Sequence, residues 1–401
     1  MTTTPSPVAN KHLTVAVMSD LHCRLATDTH DSFLVVGAPR RPPASHPIQA
    51  LISLIRDVPL HADALLIPGD LTNKSRTEGL ALAWEFALEI GRELRVHMVV
   101  PTLGNHDIDS QKLRDENPIA DVLRLHPDFP FSAADAVNEY LGQGCCVLTL
   151  NDDSQVVVLN TIIDHHDEQS AKHGTFGVAR IEALKAAAGR MTAPIKLALM
   201  HHHPLLHSPP FLKDTDVIPT GDAVRGVLRD AGCRLIIHGH KHQARLRCED
   251  GMVVFAAGSF SAILGEFGTA MGNLFHIIDI ETQPSVDFPI RGTVRTWEFQ
   301  LSTGWVTASH KYSGFPCVTG FGRTKTLDKI LADLEQFAQG RPKDLLFDEE
   351  DVLQVAPELK YLNPSEYLDL KRELLRRNMK FLDQDEGYFN LGRIVRHEER
   401  S

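Results

Sequence analysis

Long uninterrupted apolar runs are missing from this 401-residue chain: none approaches the ~18 residues that a membrane-spanning helix requires. The opening stretch, MTTTPSPVANKHLTVAVMSD, lacks the basic-then-apolar order of a secretory signal. These two absences make a cytoplasmic location, away from any membrane, the expectation. Cysteine is scarce as well. Six residues, with Cys145 and Cys146 adjacent and no C-x-x-C pair, offer neither a disulfide framework nor a thiolate zinc site. A surplus of positive charge is also missing. The net charge of −11 speaks against a long nucleic-acid groove, because neutralising phosphates takes clustered Lys and Arg. Internal repeats and low-complexity tracts are absent. What is there, 43% apolar residues in a chain of this length, suffices for one large core or two unequal ones.

Short β-branched-rich runs recur: LTVAVMS (13–19), ALLIP (64–68), VHMVVP (96–101), VLTL (147–150), QVVVLN (155–160), IKLALM (195–200), RLIIH (234–238), MVVFAA (252–257) and LFHIIDI (274–280). Each stops at polar or Gly residues, as buried strands do. Helix-period segments at 46–57, 76–94, 178–189 and 220–231 lie between several of them, the last with Thr220 as N-cap and Gly232 as its stop. The NDDS link between 147–150 and 155–160 reads as a hairpin, so the strands are mixed rather than all parallel. From about residue 315 strand signals fade. TLDKILADLEQFAQG (326–340) sets Leu327, Ile330, Leu331, Leu334 and Phe337 on one helical face with Gly340 as a stop, and 363–382 reads as a helix capped near Asn363. The expectation is an α/β domain over 10–314 and a mainly helical extension over 315–401 that packs on it and offers a surface for oligomerisation.

Polar residues gather where the strands stop. MSDLH follows the first, PGDLTN the second, TLGNHD the third, and LMHHHP and HGHKH two later ones. All five fall at carboxyl ends, the edge where loops from neighbouring strands converge. Any one of them alone is an ordinary turn. Together they hold eight of the 21 histidines: His22, His106, His201, His202, His203, His238, His240 and His242. Asp, Asn and His without Cys form a donor set suited to Mn, Fe or Zn rather than to a closed structural zinc site. Two carboxylates, one amide oxygen and four imidazoles are too many for one tetrahedral ion and suit two ions sharing a ligand. Two such ions, ~3.5–4 Å apart, generate hydroxide at neutral pH and clamp both oxygens of an in-line phosphoryl displacement.

The ordered set Asp20-x-His22, Gly69-Asp70, Gly104-Asn105-His106-Asp107, Met200-His201-His202 and Gly239-His240-x-His242 resembles the five-motif signature of the calcineurin-like metallophosphoesterases, over about residues 13–245. The resemblance implies a four-layer α/β/β/α sandwich of two mixed sheets with a two-metal site at their edge. It places one divalent ion (Mn, Fe or Zn) on Asp20, His22, Asp70 and His242. A second falls on Asp70, Asn105, His201 and His240, with Asp70 bridging and His202 as the alternative to His201. His106 is implied to face the substrate phosphate, stabilising charge or protonating the leaving oxygen, with Asp107 orienting it. His238 matches no ligand position and reads as a core or supporting histidine.

Protein Ser/Thr phosphatases of this superfamily carry an acidic-Arg-Gly continuation after Gly-Asp, where this chain has GDLTNKS with Asn73 and Lys74 in that place. The departure argues against protein phosphatase activity. The nearer likeness is to the class III cyclic-nucleotide and glycerophosphodiester branch, which implies a small phosphodiester substrate attacked by a metal-bridging hydroxide without a covalent phosphoenzyme. Asn73, His202, Arg40 and Arg41 are the candidate substrate-binding residues, the arginines lying in a Pro-rich insert (23–47) that is a candidate pocket wall. A second insert (107–144) is a candidate cap, and DHHDE (164–168) reads as loop. The alternatives are a metal-dependent nuclease on DNA or RNA and a non-catalytic protein-binding scaffold. A full ligand set favours an enzyme over the scaffold, and the acidic balance counts against nucleic acid.

Overall fold

The computed structural model describes residues 10–28, 31–110, 112–125, 129–165, 167–206, 217–263, 272–283, 288–309, 314–339, 349–381 and 394–396. Strands β1 (His12–Val17), β2 (Ala64–Ile67) and β3 (Met98–Pro101) are parallel neighbours. Helices α1 (Pro47–Asp57) and α2 (Thr77–Leu94) make the crossovers between them. Ile48, Leu51, Ile52 and Ile55 of α1 and Leu80, Ala83, Phe86, Ala87 and Ile90 of α2 fall at helical spacing and enter the main core. Two short helices, α3 (Ala120–Arg124) and α4 (Ala134–Gln143), belong to the second insert.

The chain then builds a second sheet from β4 (Cys145–Asn151), β5 (Ser154–Leu159), β6 (Ile195–Leu199), β7 (Leu235–His238), β8 (Ala244–Glu249) and β9 (Met252–Ala257), in the order β4-β5-β6-β7-β9-β8. The β4–β5 pair is the expected antiparallel hairpin. Helices α5 (Glu168–His173), α6 (Val178–Gly189) and α7 (Gly221–Asp230) connect these strands. Side chains on a strand alternate between faces. Val156, Val158, Leu197, Leu199, Leu235 and Ile237 therefore meet the first sheet in the main core, while Val157, Leu159, Ala198 and Ile236 pack against Leu184 of α6 and Val224 and Leu228 of α7. Each such Val, Leu or Ile contributes ~1.5–3 kcal/mol by leaving water. The layers are thus α/β/β/α.

Strands β10 (Asn273–Thr282), β11 (Ile290–Gln300), β12 (Gly304–Thr307) and β13 (Val318–Phe321) complete the first sheet in the order β12-β11-β10-β1-β2-β3, with β13 also on β11, so both sheets are mixed. Apolar runs do not announce β8, β11, β12 or β13. In β11 (IRGTVRTWEFQ) Arg291, Thr293 and Arg295 alternate with buried Ile290 and Val294, so no continuous run forms. Because β13 continues the sheet to Phe321, the extension expected from residue 315 becomes helical only at α8 (Leu327–Ala338).

Helices α8, α9 (Glu349–Val355) and α10 (Pro364–Arg376) share their own small core of Ile330, Leu331, Leu334, Val352, Tyr367, Leu370 and Leu374. Asn363 caps α10 in a capping box with Glu366. Thr220, by contrast, does not cap α7 with its side chain; its hydroxyl donates to the Phe176 carbonyl. The extension docks on the first sheet through Gly320 N–H to the Leu362 carbonyl at 2.8 Å and Tyr361 hydroxyl to Glu281 at 2.7 Å. A two-stranded ladder of β14 (Met379–Phe381) and β15 (Ile394–Arg396) makes it less than wholly helical. Gly340 lies outside the described residues. Among those residues no helix is long and apolar enough to cross a membrane.

Candidate metal centre

Loops leaving β1, β2 and β3 of one sheet and β6 and β7 of the other open at a common edge, where backbone contacts lock them together. Asp20 N–H donates to the Gly69 carbonyl at 3.1 Å, His22 N–H to Asp70 at 3.0 Å, and Gly239 N–H to His201 at 3.1 Å. The turns are sharp. Asp20, His22, Asp70, His240 and His242 all sit at positive φ, 54°, 49°, 53°, 81° and 56°, which costs a side-chain-bearing residue of order 1–3 kcal/mol and persists where the surroundings impose it. Two glycines make the approach possible. A Cβ on Gly104 would stand 2.2 Å from Asp70 Oδ1, and one on Gly239 would stand 2.3 Å from Ser19 Oγ and 2.6 Å from Asp20 Oδ2.

The result is two adjoining groups of donor atoms. In the first, ligand-type atoms of Asp20, His22, Asp70 and His242 lie within 4.8 Å of one another. His22 Nε2 stands 3.0 Å from His242 Nε2 and 3.6 Å from Asp70 Oδ2, and His242 Nε2 stands 3.4 Å from Asp20 Oδ1. In the second, Asn105 Oδ1 is 3.1 Å from both His201 Nε2 and His240 Nδ1, and Asp70 Oδ2 is 3.4 Å from His201 Nε2. Asp70 Oδ2 therefore faces both groups, while its Oδ1 accepts from His106 N–H at 2.8 Å. The outer ring nitrogens are tied to backbone: His201 Nδ1 to the Pro68 carbonyl at 2.7 Å and His240 Nε2 to the Lys172 carbonyl at 3.0 Å. Each bond fixes the ring so that its other nitrogen points inward, as a metal-ligating histidine requires. Facing nitrogen and oxygen donors with buried carboxylates between them fit divalent cations.

Electrostatics sharpen this. Burial presses His22 down to about 3 and holds His240 well below the usual imidazole range, so both are neutral. Burial also works downward on His201, but Asp70 and Asp20, with the Pro68 carbonyl, lift it to about 9. Burial would raise Asp70, yet the charges of His201 and His106 hold it well below the carboxylate norm. Asp20 is lowered too, the bond and charge of His242 outweighing burial.

Ligand-type atoms of His201, His202 and His240 lie within 4.8 Å of one another, so both His201 and His202 stand at the second group. His202 is fully buried, with Nδ1 on Thr161 Oγ1 at 2.8 Å and Nε2 on the Ala171 carbonyl at 2.9 Å, so both its nitrogens have protein partners, whereas His201 Nε2 faces Asn105 and Asp70; the geometry favours His201. The expected place of His202 among substrate-binding residues is corrected accordingly; His202 props the second group from behind, its ring 4.8 Å from that of His201. His238 is buried against His203, ring centroids 4.7 Å apart. Asp107 is also corrected. It does not reach His106: its carboxylate accepts from Thr72 N–H at 2.9 Å and Gly104 N–H at 2.8 Å, bracing the second-motif loop against the third. Burial, then Asp70, push it up to about 8. Asn73 takes the role instead, its Oδ1 accepting from His106 Nδ1 at 3.1 Å.

Arg40 and Arg41 do not come to the site. Arg40 pairs with Glu89 at 2.8 Å and covers the Phe86 ring at 4.5 Å. Glu89 lies about 18 Å along α2 from the end nearest the centre at 1.5 Å per residue. Arg41 is exposed. The cations that motif reading missed are Lys74, Arg76, Arg114 and Lys172, which with Asn105, His106, Ile108 and Leu113 line a cavity of about 600 Å³ beside the centre. A larger one of about 800 Å³, between β8 and α10, contains none of these residues. Clustering of Lys74 and Arg76 directly after the second motif is the one sequence signal that pointed there.

No curated protein matches the chain. Among solved structures, GAP50, the anchor in the inner membrane complex of Plasmodium, is 14% identical, with 82% of this chain and 94% of that one covered and a TM-score of 0.40. A Staphylococcus aureus protein described as a 5′-nucleotidase is 13% identical over 84% of this chain and 61% of its own, with a TM-score of 0.42. Vps29 from Entamoeba histolytica, solved with zinc, is 11% identical over 71% and 92%, with a TM-score of 0.32. The family model of the calcineurin-like phosphoesterases matches residues 13–244, the span that carries all five site loops, and the chain belongs to that family.

Proposed function

We propose that this chain hydrolyses small phosphodiesters with two divalent transition-metal ions, one held by Asp20, His22, Asp70 and His242 and the other by Asp70, Asn105, His201 and His240. The observation that carries the reading is the single Asp70 oxygen 3.6 Å from His22 and 3.4 Å from His201, a shared ligand between two donor groups. Bound there, the ions would supply Lewis-acid neutralisation of the phosphate and a more acidic water. With Nδ1 held by Asn73, His106 keeps Nε2 for the substrate, where it hands a proton to the leaving oxygen. The cavity beside His106 receives the leaving alcohol, with Lys74 and Lys172 in its lining to suit an anionic substrate, while Arg76 and Arg114 are paired with Asp28 and Asp121. Ser19 and Cys23, beside the first-motif loop, are not poised as covalent nucleophiles. Ser19 is buried and donates to Asp20, and the buried Cys23 thiol is pushed up by burial.

The test is turnover by the Mn²⁺-reconstituted protein of bis-p-nitrophenyl phosphate, p-nitrophenyl phosphate, cyclic AMP and single-stranded DNA. The diester is expected to be cleaved best. A much higher kcat/KM for the monoester would overturn the diester preference while keeping the metal chemistry, cleavage of DNA alone would favour a nuclease, and metal binding without any turnover would favour a scaffold.

Metal binding is also expected to release a proton at neutral pH. His201 stands at about 9 without an ion and must lose its proton to ligate, so affinity climbs with pH across the neutral range and levels off above about 9. Calorimetric titration with Mn²⁺ in buffers of different ionisation enthalpy reads the proton count directly. Finding none released at pH 7.5 would sink the assignment of His201.

A further inference from the structure

The first insert reaches the centre through one residue that no motif includes. Asn73 not only accepts from His106; its amide Nδ2 donates to Asp31 Oδ2 at 2.7 Å. A side-chain amide offers an acceptor at one end and donors at the other, and a half-turn exchanges them. A carboxylate only accepts, so Asp31 dictates which way Asn73 faces: NH₂ toward Asp31, Oδ1 toward His106. With an acceptor on Nδ1, the imidazole carries a hydrogen there, and the proton to be given away sits on Nε2, toward the substrate. A turned Asn73 would set its NH₂ against Nδ1–H and disfavour that arrangement.

Asp31 is itself held firmly. Its carbonyl accepts from Ile263 N–H at 2.8 Å, and its neighbour Ser32 donates through Oγ to the Leu21 carbonyl at 3.0 Å and accepts at its own carbonyl from Arg24 Nε at 2.9 Å. Phe33 N–H adds a bond to Ser261 at 3.0 Å. The segment is thus braced between the first-motif loop and the loop before β10. Catalytic groups need such support to stay within a fraction of an ångström of their working position.

We infer that Asp31 is a positioning residue for the leaving-group proton, acting through Asn73 on His106; the inference rests on His106 serving as the general acid. The chain thereby obtains from its insert a carboxylate behind the histidine, where Asn73 alone stands after Gly69-Asp70.

The experiment uses the metal-loaded protein and a series of ethyl aryl phosphates whose leaving phenols run from p-nitrophenol to phenol. Phenol needs a proton to depart and p-nitrophenol scarcely does. Asp31→Ala is expected to lower kcat ~10-fold on the phenyl ester and markedly less on the p-nitrophenyl ester, with KM and metal content near wild type. Asp31→Asn keeps an acceptor but can itself turn, so its loss on the phenyl ester should be smaller; it also serves if the alanine variant folds poorly. In a His106→Ala background Asp31→Ala should cost almost nothing more. An equal fall across the series, or an undiminished Asp31→Ala effect without His106, would overturn the inference. If His106→Ala were itself indifferent to the leaving group, the acid assignment would fail first, and the two failures are told apart in one data set.

Discussion

Asp70→Asn is expected to eliminate both ions and, with them, turnover, lowering kcat/KM on the diester by more than ~10⁴, the scale seen when one member of a concerted catalytic unit is removed. The substitution is nearly isosteric, and Asn can keep the Oδ1 bond to His106 N–H, so the loop should hold its shape. What changes is the other atom: an NH₂ group replaces the oxygen that faces His22 at 3.6 Å and His201 at 3.4 Å, and a donor cannot ligate. Each donor group loses its shared oxygen at once, whereas a change at Asn105 or His242 weakens only one. Elemental analysis after reconstitution with excess Mn²⁺ should find two ions on the wild type and less than one on the variant. The rise in melting temperature on adding Mn²⁺ should disappear too, since it follows from binding to the folded state alone. Without metal the variant should melt lower, because the Asp70–His201 pair is gone. That difference should be full below about 6.5, the ordinary histidine value, and vanish as pH passes about 9, where His201 loses its proton in the wild type. Retention of both ions by Asp70→Asn would remove the shared-ligand reading.

What the sequence could reveal depended on whether neighbours in space were also neighbours along the chain. The five loops were legible because each strand ends in its own short polar cluster, and strand ends of one sheet edge must converge. The relation between His106 and its partner was not. Asp107 is adjacent in sequence, but its side chain turns to the backbone of Thr72 and Gly104, while Asn73, 33 positions away, meets the ring. Asp31, 42 positions from Asn73, carries no motif at all. Arg40 illustrates the opposite error: a basic residue in a Pro-rich loop looked like a phosphate clamp, yet Glu89 and Phe86 claim it. In the fold, continuous apolar runs gave the buried parallel strands, but β11 hides its pairing in an alternation of polar and buried residues. The same blindness moved the end of the sheet from 314 to Phe321.

His106→Ala should separate chemistry from metal binding. The ring belongs to neither donor group, since Nδ1 is spent on Asn73, and its contact with the first group is an edge-on approach to His22 at 4.8 Å. The backbone at this position is held independently of the side chain, by His106 N–H to Asp70 and by Ser75 N–H to the His106 carbonyl at 2.7 Å. Truncation therefore leaves the loop and both ions in place. What it removes is a proton donor and a partial positive charge beside the leaving oxygen, so kcat should fall by ~10²–10⁴ with KM little changed. The loss should be steepest for esters of weakly acidic phenols and shallow for p-nitrophenol, because only the former depend on the proton. Metal analysis of the variant decides the interpretation. Two ions with a kcat deficit that grows with leaving-group pKa mark His106 as the acid; loss of an ion would mean that the ring's part is to prop His22, and the proton would have to come from elsewhere in the cavity.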